Sequence, residues 1–368
     1  MKTAKLKGAA TPYDAARHEL ALDINAKMAA SLKTDPLGWA AENAGQALPA
    51  LDFTDAKTTA ASLQARIAFA DATARHYGVA PKYFRPAEAQ QLTTTLDAAP
   101  PAQRVQLLGA LAGATNDERL GAMMRELTGT KNGGAYAQAA LLMKEGNGPA
   151  AAAVAAGIDA IHTGAVKIDG FGQKARAAAA PFLSRLPSAL GAASGAMLDS
   201  ASAIYAAHAS GDDRSKFNSE LFERSLQEAA GARFEGDTRV SGGFGLVNGN
   251  TVLVPPTTND TDLGNLFGKI DDSDLAHVAL APPVDDKGKP IAASVLRGAY
   301  PVTVGPGRYA FSLTDPSRGA PELVGAHAPG GVFVLDVDKL WARAHARAPV
   351  GNRPASPTRR SDLHGGLQ

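Results

Sequence analysis

The chain has 368 residues, 45% hydrophobic and 20% charged, long enough to bury a substantial core and too apolar for wholesale disorder. Its 37 basic and 36 acidic residues leave a formal charge of +1, so there is no overall electrostatic drive toward nucleic acid or an acidic membrane. Cysteine is absent, which excludes disulfides, thiolate metal sites and a cysteine nucleophile.

The opening MKTAKLKGAATPYDAARHEL is charged without an apolar stretch, so a cleaved secretory signal is not expected. Thr11 can cap a first helix, with Pro12 at its first position and Asp14 three residues after the cap. Leu20, Ile24, Met28 and Leu32 then recur every four residues as one apolar stripe. Asp35-Pro36 should end or bend this helix, and LGWAAENAG reads as a short one closed by Gly45.

A long helix is predicted from Thr54 to Tyr77, with Leu63, Ile67 and Ala70 or Ala74 facing inward and Gly78 as its C-cap. Shorter helices follow near residues 86–96, 101–112 and from Thr115, whose spacing to Glu118 suits a capping box. A loop is expected over 129–134, then helices over 135–144, 150–163, 172–186, 189–209 and 216–230. The run from Ala175 to His208 is the nearest thing to a membrane span, but its apolarity is mostly alanine and Arg176, Arg185, Pro181, Pro187 and Asp199 interrupt it.

Beyond Gly236 the period changes to two. Asn248-Gly249 between LV and NTVLV is a type I′ hairpin signal, and Pro255-Pro256 stops the second strand. Short helices are predicted over 261–270 and 274–279, two strands around Gly305-Pro306-Gly307, a final strand over 332–337 and a helix over 338–348. The expected fold is mostly α, an irregular helical bundle or short helical solenoid followed by a small antiparallel β domain. Its divisions are a helical arm over 1–50, an alanine-rich helical domain over 51–235, an α+β domain over 236–347 and a disordered tail over 348–368.

No catalytic, cofactor-binding or metal-ligating residue emerges. Histidines at 18, 76, 162, 208, 277, 327, 345 and 364 show no ligand spacing, and after His18-Glu19 the second zinc ligand's place holds Leu22. Gly191 and Gly195 flank Ser194 at the wrong spacing for a nucleophile elbow, so a close helix contact is expected there. The glycines from Gly243 to Gly249 open no helix that could receive a phosphate. The pairs Asp212-Asp213, Asp271-Asp272 and Asp285-Asp286 are adjacent rather than set across a cleft, and read as solvated loop acids. In the tail, Arg353, Arg359 and Arg360 could make a weak DNA contact or dock on a neighbouring subunit.

The segment PKYFRPAEAQQLTTTLDAAPPAQRVQLLGALAGATNDERLGAMMREL, the following YAQAALLMKEGN and the upstream DPLGWAAE resemble a region of large phage and prophage virion proteins. The NG hairpin closing in LVPP, the acidic helix, the GRY strand and GGVFVLDV are similar to the ends of those proteins. The resemblance implies an internal virion, tail-associated or DNA-ejection component, located in the virion and assembling as a homo-oligomer with portal, tail or other ejection proteins. Membrane contact is possible but not indicated. Some such proteins carry a lytic transglycosylase domain, but no motif for one stands in this chain. The rival readings are a peptidoglycan hydrolase and a prophage-encoded adaptor acting by protein binding alone.

Overall fold

The structure, a computed structural model, describes residues 12–43, 45, 47–187, 190–279, 281–319, 321–326 and 331–347. The Thr11 cap, His327, His364 and the arginines of the tail lie outside the described residues. The chain is mostly α, with a smaller antiparallel β module at its C-terminal end.

Helix α1 (Pro12–Thr34) leads into α2 (Pro36–Asn43). The Asp35 carboxylate accepts from the Gly38 amide at 2.9 Å and pairs with Arg85 Nε at 3.0 Å, which fixes the bend between them. Leu37 and Ala40 of α2 are buried, and Leu48, Leu51 and Phe53 continue onto the same core. In contrast, α1 from Arg17 to Ser31 is exposed throughout, so its apolar stripe meets no partner among the described residues.

Helix α3 (Ala56–Tyr77) begins two residues later than the sequence predicts, because Asp55 caps it in a reciprocal box with Thr58. Gly78 ends it in the left-handed conformation at φ 66°. Then come α4 (Pro86–Ala98), α5 (Pro101–Gly113) and α6 (Asp117–Leu127). The cap of α6 is Asn116, not Thr115; the Thr115 hydroxyl is buried without a hydrogen-bond partner among the described residues. Helix α7 (Gly133–Lys144) starts inside the expected loop, after Asn132 turns through φ 56°.

Helices α8 (Gly148–His162), α9 (Phe171–Leu183), α10 (Gly191–His208) and α11 (Ser219–Ala229) complete the helical body. Small residues let α8 and α10 touch backbone to backbone: a Cβ on Gly157 would fall on the Ala203 carbonyl. The Gly191/Gly195 expectation is corrected, since a Cβ at either would meet open space. One aromatic cluster closes this end, with Tyr205 stacked on Phe217 at 5.7 Å and Phe222 beside both.

The first strand, β1 (Arg233–Glu235), precedes Gly236, where the sequence predicts the change of period, and pairs with β2 (Thr238–Ser241) just beyond it. The hairpin of β3 (Gly243–Val247) and β4 (Asn250–Val254) has Asn248 and Gly249 at φ 48° and 78°, as a type I′ turn requires. Its β3 edge is closed by side chains: Gln227 takes the Phe244 amide at 2.7 Å and Asp260 the Leu246 amide at 3.1 Å.

After α12 (Asp260–Gly268) and α13 (Asp272–Val278) come β5 (Pro283–Val284), α14 (Ala293–Arg297), β6 (Tyr300–Gly305) and β7 (Arg308–Ser312). The chain continues through β8 (Gly325–Ala326), β9 (Leu335–Asp336) and α15 (Val337–Arg347). The expected final strand over 332–337 is reduced to β9 plus a single bridge from Val332 to Gly325. Strand β4 meets β6 through side chains instead of a ladder: Asn250 donates to the Pro301 carbonyl at 2.7 Å, and Thr303 receives the Leu253 amide at 2.9 Å.

Two apolar cores result. Leu63, Leu92, Leu108, Leu127, Tyr136 and Ile204 belong to the helical one, and Val252, Leu263, Phe267, Phe311, Phe333 and Leu335 to the second. The β3–β4 hairpin joins them, because Phe244 packs on Phe182 of α9 while Val247, Val252 and Val254 face the other core.

Candidate functional site

The acidic pairs and the described histidines that stand out in the sequence are dispersed in the fold, and several of the acids act as caps and turn supports. Asp271 caps α13, Asp272 accepts from the Ala293 amide at 2.8 Å, and Asp285 gathers the amides of Lys287 and Lys289. Asp212 pairs with Lys216 at 3.0 Å on the surface, and Asp213 holds Asn218 at 3.1 Å. His208 faces Glu228 at 3.3 Å and His277 the Ser273 carbonyl at 2.7 Å. Among the described residues no three His, Asp or Glu side chains converge as a metal site would need.

An open cleft of about 320 Å³ lies between α3, the 80–83 connection and α6, lined by Asp71, Pro81, Tyr83, Glu118, Arg119 and Arg125. Asp71 is its hub. One carboxylate oxygen takes Arg119 at 2.5 Å and the other the Tyr83 hydroxyl at 3.1 Å. Burial, with the Asp71 charge behind it, pushes the Tyr83 phenol up to about 12, so it stays a donor. The hydrogen bond to Asp71 likewise raises Arg119. Acid, phenol and guanidinium satisfy one another, and with Glu118 and Arg125 they give the cleft a rim of mixed charge.

Beneath the cleft, Glu126 pegs the connection to α6. It accepts the Tyr83 amide at 3.1 Å and the Phe84 amide at 2.7 Å. Burial nevertheless pushes its carboxyl up to about 7, against the pull of those amides. Arg66, fully buried, binds Glu88 with two nitrogens at 2.6 and 2.7 Å and also donates to the Pro49 carbonyl. Arg104, equally buried, reaches Leu96, Ala99 and Ala155 carbonyls and Asp159.

These anchors escape motif searching, though Arg66 sits one residue before Ile67 on the inward stripe of α3, an irregularity the sequence does contain. A further charged group, at the meeting of α7 and β1, has Glu145 raised to about 7 by burial and by the charge of Asp117, with Arg233 opposing. Arg233 donates to the Glu145 carbonyl at 2.9 Å, while its Nε is buried without a hydrogen-bond partner among the described residues.

The exposed face of α1 is the other candidate. Leu20 is 59% exposed, Ile24 47% and Met28 42%, and they fall within about 80° of one another around the helix. The C-terminal end of α1 is tied to the body by Asp35, which pairs with Arg85, and by Lys82, which donates to the Thr34 carbonyl at 2.8 Å. No protein-family model, curated protein or solved structure matches this chain. No helix among the described residues is long and apolar enough to cross a membrane.

Proposed function

We propose that this chain is a non-enzymatic structural component of a phage virion, an internal or ejection protein that assembles through its N-terminal helix and docks on portal or tail components. The observation that carries the assembly half is the row Leu20, Ile24 and Met28, exposed on a helix whose C-terminal end is fixed to the body. Leaving three large apolar side chains about half exposed forgoes about 1 kcal/mol of burial each, which a partner surface would recover. The phage half rests on the sequence resemblance alone.

The self-neutralised cleft at Asp71 favours contact chemistry over catalysis. Quantitative mass spectrometry of purified particles, before and after triggered genome release, tests the reading. The chain should be present in full particles, and its loss on release would mark it as ejected while retention would mark it as a fixed part. Absence from full particles would overturn the virion reading in favour of an adaptor. A zymogram clearing that vanishes on one carboxylate substitution would overturn the non-enzymatic reading.

A further inference from the structure

We infer that the partner of the α1 face is a second copy of the same chain, with the two α1 helices packed antiparallel. This rests on α1 being an assembly element, and it adds the occupant and the geometry. Asp23 and Lys27 flank the apolar row on one side, joined within the helix at 2.7 Å and both well exposed. With a turn of 100° per residue, Ile24 lies at the centre of the face, Leu20 and Met28 to either side, and Asp23 and Lys27 along one margin.

Two antiparallel helices related by a two-fold axis bring like margins together. An axis passing near Asn25 therefore sets Asp23 of each copy against Lys27 of the other, while the Ile24 side chains meet and Leu20 nears Met28 across the axis. A parallel pair would instead oppose this margin to the far one, where, level with Asp23 and Lys27, Ala21 and Asn25 offer no charge. The tether points the same way. Because the body is attached at Thr34, an antiparallel pair carries its two bodies at opposite ends of helices about 34 Å long, whereas a parallel pair would force them side by side.

A two-helix contact is smaller than a standard interface, so the dimer is weak in solution and gains from many copies held together. The test is sedimentation of the full chain over a concentration series, for the wild type, for D23K, for K27D, and for an equimolar mixture of the two variants. Each single variant places like charges across the axis twice and should dimerise roughly tenfold more weakly than wild type. The mixture should regain wild-type affinity, because only the heterodimer restores both pairs.

Circular dichroism confirms folding; both sites are exposed, so the body should be undisturbed. A wild-type chain that stays monomeric into the sub-millimolar range, a dimer indifferent to both substitutions, or a mixture no better than its components would overturn the inference. None of those results touches the virion proposal, which the particle measurement decides separately.

Discussion

Charged side chains do much of the positioning in this molecule. Arg66 and Glu88 hold the 47–53 segment against α3 and α4 from inside the fold. Glu88→Ala leaves the guanidinium buried with only carbonyl partners, and urea unfolding should show a loss of about 3 kcal/mol. Glu126 and Glu145 make a different prediction. Each is raised from 4.5 to about 7, so the folded chain binds their protons more tightly than the unfolded one. Their contribution is fully present below about 4.5 and is lost as pH rises through about 7. Unfolding free energy measured across that window should fall less steeply in E126Q than in wild type, and less again when E145Q is added. An unchanged slope in the double variant would contradict the assignment.

Helix packing by alanine and glycine gives the elements their spacing. Gly157→Ala would push α8 from α10 at the Ala203 carbonyl, and should cost about 1–3 kcal/mol in thermal or denaturant unfolding. Gly195→Ala, in the same helix as Ala203 but facing open space, should stabilise by up to about 1 kcal/mol. Sequence alone does not separate these two glycines, since both sit among alanines and only the neighbouring helix distinguishes them.

Local signals are legible where the physics is local. Asn248-Gly249 names its hairpin, Gly78 ends its helix, and the apolar spacing at Leu63, Ile67 and Ala70 marks the buried face of α3. Strands β5 and β8 are not legible, because two-residue pairings depend on what the chain meets across the fold. The cleft is equally hidden: Asp71, Tyr83 and Arg119 come from separate segments with no shared motif. The exposed stripe of α1 shows the converse case, a buried-face pattern in sequence that no described part of the chain covers.

As a whole, the molecule is two cores joined by the β3–β4 hairpin, with one helix standing away from both. With α1 as the proposed assembly element, that arrangement separates stability from assembly. Among the described residues, none before Asp35 contributes a buried side chain to either core, and a chain lacking residues 1–34 should unfold at nearly the wild-type temperature while losing self-association. The most direct test of the central claim is to express full-length and 1–34-deleted chains during particle assembly and quantify both in purified particles. The account predicts the full chain in particles and the deleted one, though folded, left behind. Equal incorporation of both would contradict the role given to α1, and exclusion of both would contradict the virion role itself.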